Sequence, residues 1–174
     1  MNIVLMGYMG CGKSTVGRVL SKNLSMDYLD LDVFIEKKEG MKISEIFKQK
    51  GEIYFRKMEV ECLGACLTTK KNTILSLGGG APCFGNNIEV VTSTEDTLSI
   101  YLKTSLEVLV ERLMPERAKR PLIAHLETRE VLGDFIRKHI FERSFYYSQA
   151  NAVVNTDEKS AQQIVKEITG LLSK

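Results

Sequence analysis

The sequence predicts an α/β chain in three layers, a central parallel sheet of five strands flanked by helices. Three observations predict it. Short apolar runs alternate with stretches of helical period along the 174 residues. Two of those runs, at 2–6 and 73–77, end in glycine-rich breaks, where a chain leaving a buried strand turns tightly. A charge-dense stretch at 115–121 has no apolar period, and it is expected to leave the packed layers as a surface excursion and mobile lid.

The elements follow in order. Residues 2–6 form the first strand, broken at Gly7, and 13–24 the first helix. A second strand is expected at 28–31, ending in acids, with helical pieces at 33–38 and 43–49 around the turn at Gly40. Phe55, Met58, Leu63 and Cys66 recur at helical spacing, so a longer helix at 52–67 leads into the strand 73–77. After Gly78, Gly79, Gly80 and Pro82 come a strand at 97–102, a helix at 106–113, a long helix at 128–148, a strand at 152–154 and a closing helix at 160–172 capped by Ser160. The whole chain, 1–174, is expected to be a single domain.

Basic residues number 24 against 22 acidic ones, a net charge of +2 without a basic cluster. This gives no pull toward nucleic acid, and any anion site must be local. The four apolar residues ahead of Gly7 are too short for a signal core or a membrane span, so a cytoplasmic protein and, on size alone, a monomer are expected. Cys11, Cys62, Cys66 and Cys83 form no CxxC pair, as suits reduced thiols. Cys62 and Cys66 are expected to pack inside their helix as small hydrophobes. His125 and His139 have no triad-like or metal-like neighbours, so surface or helix-packing roles are expected for both.

The sharpest motif is Gly7-Tyr8-Met9-Gly10-Cys11-Gly12-Lys13-Ser14, which satisfies G-x-x-x-x-G-K-[ST] between a strand and a helix. In such a phosphate loop, spanning 7–15 with Thr15, backbone N–H groups surround phosphate oxygens. Lys13 reaches the β and γ phosphates, and Ser14 offers a hydroxyl to Mg²⁺. Many nucleotide-binding proteins share the loop, so other residues must choose the reaction. Asp30 and Asp32 lie two apart at a strand end, where extended geometry would send both carboxylates to one side. Asp32 could equally cap the helix after it.

Residues 7–18 (GYMGCGKSTVGR), Asp30-Leu31-Asp32, Gly51-Glu52 with Phe55-Arg56 and Glu59, the glycine triplet and Arg120-Pro121-Leu122 together resemble the shikimate kinase family in order and spacing. That resemblance covers about residues 2–155, and it implies a nucleoside-monophosphate-kinase-like P-loop fold using ATP and Mg²⁺. The implied reaction carries the γ-phosphoryl group to the 3-hydroxyl of shikimate, within aromatic amino-acid biosynthesis. ATP would be held by Gly10, Cys11, Gly12, Lys13, Ser14, Thr15, Arg112 and Arg120, with Arg112 stacking on adenine and residues 155–157 in the adenine loop. Asp32 would contact the attacking hydroxyl, and Asp30 would reach the metal through water. Arg56, oriented by Glu59, and Arg143, in an Arg-x-x-x-Tyr pattern ending at Tyr147, would clamp the acceptor's carboxylate and ring hydroxyls, a task suited to the guanidinium fork. Gly78, Gly79 and Gly80 would let backbone approach the acceptor, the acceptor region lying at about 32–60. Arg120, in a lid at about 112–125, would neutralise charge on the transferring group; with Lys13 and Asp32 it makes the implied catalytic set. Strand-end glycines, a solvated helix face for Arg143 and a solvated loop around Arg120 are the plain alternatives. The alternative functions are a gluconate or nucleotide kinase of the same fold, and a nucleotide-dependent regulatory protein that transfers nothing.

Overall fold

A computed structural model describes residues 1–172; the last two residues of the expected domain lie outside the described residues. The strands are β1 (Asn2–Met6), β2 (Asp27–Asp30), β3 (Thr73–Ser76), β4 (Thr97–Lys103) and β5 (Ala152–Asn155). They form one five-stranded sheet in the order β2-β3-β1-β4-β5, every pairing parallel. The helices are α1 (Lys13–Leu24), α2 (Leu31–Glu39), α3 (Ile43–Thr69), α4 (Asn87–Ser93), α5 (Leu106–Leu113), α6 (Arg129–Tyr147) and α7 (Ala161–Leu172).

Every residue of β1 is buried because the strand runs through the middle of the sheet with helices on both faces. Its alternation sorts the core into two. Ile3 and Leu5 join the cluster that includes Val16, Leu109, Ile136 and Ile164, from α1, α5, α6 and α7. Val4 and Met6 join the other, with Ile35, Leu63, Val91 and Tyr147, from α2, α3, α4 and α6. Cys62 and Cys66 are buried in this second cluster, and burial pushes both thiols up, Cys66 to about 11. They are packing groups, as expected.

Two local features depart from the sequence expectation, at α4 and at residues 30–32. The two helical pieces expected at 43–49 and 52–67 are both present within α3, separated by a kink at Gly51, whose φ of 82° and ψ of 169° are not helical. A positive φ of this kind favours glycine, and beyond the bend Phe55 meets Phe47 with ring centroids 4.7 Å apart. Helix α4, which sequence periodicity did not single out, starts at a fully buried Asn87 whose Nδ2 donates to Ala81 O at 2.8 Å. The second strand ends at Asp30 and α2 begins at Leu31, so extended geometry does not persist through Asp30-Leu31-Asp32. Asp30 is the helix cap, its Oδ1 accepting from Asp32 N at 3.0 Å and Val33 N at 3.4 Å. Asp32 therefore sits in the first turn of a helix and is not its cap. Ser160 does cap α7: its Oγ accepts from Gln163 N at 3.3 Å while Gln163 Oε1 accepts from Ser160 N at 2.8 Å, a reciprocal capping box.

Candidate active site

A cleft of about 540 Å³ opens where β1, β2 and β3 end, the edge at which open parallel sheets bind ligands. Its floor is the glycine loop. Gly10 and Gly12 hold φ at 81° and 97°, left-handed values that an L side chain rarely adopts. A β-carbon on Gly10 would also press on Leu113 at 3.0 Å. Gly12 is the N-terminal cap of α1, and with no side chain it leaves the first N–H groups of the helix facing the cleft, a ready anion site. Ser14 and Thr15 are exposed there. Lys13 Nζ folds back on the loop, donating to Gly7 O at 2.7 Å and Tyr8 O at 3.1 Å, with Cys11 Sγ at 3.6 Å.

Opposite the loop stand Arg112, Glu116 and Arg120. Arg112 donates to Gly10 O at 3.2 Å, which puts it on the nucleotide side. Arg120 is paired with Glu116 at 2.9 Å, while its buried Nε has no partner. Arg112 lies in the last turn of α5, and the stretch carrying Glu116 and Arg120 contains one short 3-10 helix, Arg117–Lys119, and is pinned in the core at each end by the fully buried Leu113 and Ile123. The expected lid at 112–125 is thus an excursion between two anchors. Of residues 155–157, Asn155 is exposed at the end of β5, Thr156 is fully buried against Thr104, Oγ1 to Oγ1 at 2.6 Å, and Asp157 accepts from Ser105 N at 3.0 Å. Lys159, Ala161 and Ile164 line the cleft at that end instead.

The other end of the cleft is made by the glycine triplet. A β-carbon on Gly78 would stand 2.9 Å from Asp32 Oδ1, one on Gly79 would be 3.7 Å from Arg143 Nη1, and one on Gly80 would be 3.0 Å from Arg56 Nη2. None of the three has a positive φ. Gly78 and Gly80 are glycines for space, leaving room for Asp32 and Arg56, whereas a β-carbon on Gly79 would make only ordinary contacts, first with the loop backbone at Met9 N, 3.4 Å, and Gly7 O, 3.6 Å. Asp32 with Gly78 and Gly79 lines the cleft, whereas Arg56, Gly80 and Arg143 stand beside it. Tyr147, fully buried, donates to Gly79 O at 2.5 Å and so ties the triplet to α6.

Charge at this end is held by burial. Glu59 is 1% exposed and pairs with Arg56 Nη1 at 2.8 Å; desolvation still pushes its carboxyl up, against the pull of Arg56. The Arg56 guanidinium also lies over the Phe84 ring at 3.8 Å, a contact the sequence did not suggest. Asp32 is pushed up to about 6, first by burial and then by the negative charges of Asp30 and Glu59, with Lys13 and Arg56 drawing it back. A carboxylate near that value is well placed to take a proton at neutral pH. His139 is more than a packing residue: its Nδ1 is hydrogen-bonded to Tyr8 Oη at 3.1 Å and its ring packs on Phe135. His125 is exposed, as expected.

A phosphate loop after the central strand of such a sheet, faced by arginines from a strap over the cleft, defines the P-loop kinase class. The family model described as shikimate kinase matches residues 9–173. The shikimate kinase of Flavobacterium johnsoniae is 46% identical over 171 residues, 98% of each chain. Among solved structures, a shikimate kinase from Bacteroides thetaiotaomicron is similar with a TM-score of 0.92 at 32% identity, over 100% of this chain and 99% of that one. One from Acinetobacter baumannii, in complex with shikimate, has a TM-score of 0.86 at 32% identity, over 98% and 92%. The chain belongs to the shikimate kinase family.

Proposed function

We propose that this chain transfers the γ-phosphoryl group of ATP to the 3-hydroxyl of shikimate, giving shikimate 3-phosphate and ADP. The observation that carries the reading is the register of Asp32, Arg143 and Arg56 on Gly78, Gly79 and Gly80, beside the phosphate loop. One carboxylate and two guanidinium groups around open backbone suit a small polyhydroxylated acid. Arg56 and Arg143 take its carboxylate and ring oxygens. Asp32 orients the attacking hydroxyl and receives its proton as the new O–P bond forms and the bond from the γ phosphorus to the β-phosphate oxygen breaks.

Lys13 leaves the carbonyls of Gly7 and Tyr8 for the β and γ phosphates, and Arg112 lies along the base. Arg120 leaves Glu116 and brings its guanidinium to the transferring group. Ser14 and Asp30 offer hard oxygens that fit Mg²⁺. Asp30 Oδ1 is occupied by the α2 cap, which suits contact through water from Oδ2. When bound, the cation offsets charge on the β and γ phosphates. Among the described residues no helix is long and apolar enough to cross a membrane. We place the protein in the cytoplasm as a monomer, on its free cysteines and its size.

The test is a coupled ADP-release assay with Mg·ATP, comparing shikimate with gluconate, AMP and no acceptor, and using Lys13→Ala as the blank. ADP release that requires shikimate and vanishes in the blank is expected. Release with gluconate or AMP instead, or with no acceptor dependence, overturns the assignment.

A further inference from the structure

The second residue of the phosphate loop has two ends in two different sites. Its backbone belongs to the nucleotide: Tyr8 O accepts from Lys13 Nζ at 3.1 Å and from Cys11 N at 3.2 Å. Its side chain belongs to the acceptor. The ring, 2% exposed, lies under the Arg143 guanidinium at 5.6 Å, and the hydroxyl is bonded to His139 Nδ1 at 3.1 Å. His139 and Arg143 are four apart on α6, hence on one face of that helix. Tyr8 is thus braced by one turn of α6 and in turn supports the arginine of the next.

We propose that Tyr8, held by His139, is a positioning residue that sets Arg143 for the acceptor and transmits nucleotide binding to it. Lys13 must release Tyr8 O to reach phosphate, so the loop that carries the Tyr8 ring is relieved of one restraint when ATP binds. The ring then settles the Arg143 guanidinium toward the Gly79 backbone. Burial pushes the Tyr8 phenol up to about 12, which keeps the hydroxyl as a donor. Burial first and then Arg143 push His139 below the usual imidazole range, which keeps the ring neutral and so able to hydrogen-bond the hydroxyl through Nδ1. A coupling of this kind is reciprocal: nucleotide tightens shikimate by the factor that shikimate tightens nucleotide.

The inference rests on the acceptor role given to Arg143 above, and the experiment separates the two. Shikimate affinity is measured by calorimetry with and without Mg·ADP, and KM for both substrates is measured alongside, for wild type, Tyr8→Phe, Tyr8→Leu, His139→Ala, His139→Gln and Arg143→Ala. ADP is expected to tighten shikimate in the wild type. Tyr8→Leu is expected to remove most of that tightening and to raise KM for shikimate about tenfold, with a smaller change in KM for ATP. Tyr8→Phe keeps the ring and the fold, so it and His139→Ala should raise KM for shikimate about threefold, and His139→Gln, which retains an acceptor, should restore it. If Arg143→Ala weakens shikimate while Tyr8→Leu leaves both its affinity and its response to ADP unchanged, the role of Tyr8 falls alone. Equal weakening of shikimate and ATP in Tyr8→Leu, or no response to ADP in the wild type, also overturns it. If Arg143→Ala leaves shikimate binding intact, the acceptor assignment falls first.

Discussion

At the end of the cleft proposed for the nucleotide, residues 7–15 supply most of the groups from one contiguous stretch. The end proposed for the acceptor draws Asp32 from α2, Arg56 from α3, the glycines from the loop after β3 and Arg143 from α6. The loop is shaped by left-handed glycines and by hydrogen bonds between neighbours, such as Lys13 to Gly7 O. The acceptor end is shaped by contacts across the chain: Tyr147 to Gly79 O spans 68 residues, and Tyr8 to His139 spans 131. Their electrostatics differ in the same way. The loop offers backbone N–H groups and an ammonium to anionic phosphates, whereas burial at the acceptor end raises Asp32 and Glu59 above the usual carboxylate range. A local site depends on few distant residues; a dispersed one is altered by whatever moves any supporting element.

Three substitutions test that contrast. The largest effect is expected from Arg120→Ala on the strap between the two ends, with kcat lower by about 10³ to 10⁵ and KM for shikimate changed far less. A rise in KM with kcat preserved would make Arg120 a binding residue of one end only.

Next is Asp32→Asn, expected to cost about 10² to 10⁴ in kcat. In the wild type kcat/KM for ATP, measured with shikimate well below its KM so that the profile reports the unliganded enzyme, should fall as pH drops below about 6, where Asp32 takes up its proton; the variant should lack that limb. The stability sign is opposite. Because the folded-state value lies above the usual 3.8, ionising Asp32 opposes folding, a penalty absent below about pH 4 and fully present above about pH 6. Asp32→Asn should therefore raise Tm by a few degrees at pH 7 and by little at pH 4. A lower Tm at pH 7 would show that the ionised carboxylate supports the fold.

The smallest effect is expected from Gly80→Ala, where the new methyl meets Arg56 Nη2 at 3.0 Å, the end of a long side chain. KM for shikimate should rise about tenfold, a cost of about 1.4 kcal/mol, with KM for ATP unchanged. Loss of ATP affinity as well would mean that the two ends are less separable than the contacts imply.

Much of the site was legible in residue order because its chemistry is carried by distinctive short patterns. The glycine loop needs left-handed backbone at Gly10 and Gly12, and only glycine provides that freely, so the motif announces its own geometry. The Arg56–Glu59 pair is a three-residue helical spacing and was equally readable. Asp30 and Asp32 were legible as residues but not as geometry. Both reach the cleft because α2 starts at Leu31 and takes Asp30 as its cap, where strand alternation had been expected to align them. Helix α4 has seven residues, and Ile88 and Val91 are its buried apolar positions, too few to show a helical period.

By itself the sequence determined the sheet's alternation with helices, the phosphate loop and the residue types at the acceptor end, since each depends on near neighbours or on local backbone freedom. Tertiary structure alone decided that Gly78 and Gly80 leave room for Asp32 and Arg56, that Asp32 is pushed up to about 6, and that the Tyr8 hydroxyl meets His139 on the helix that also carries Arg143. Space, desolvation and long-range contact exist only once β1, α2, α3 and α6 have been packed together, and no spacing along the chain encodes them.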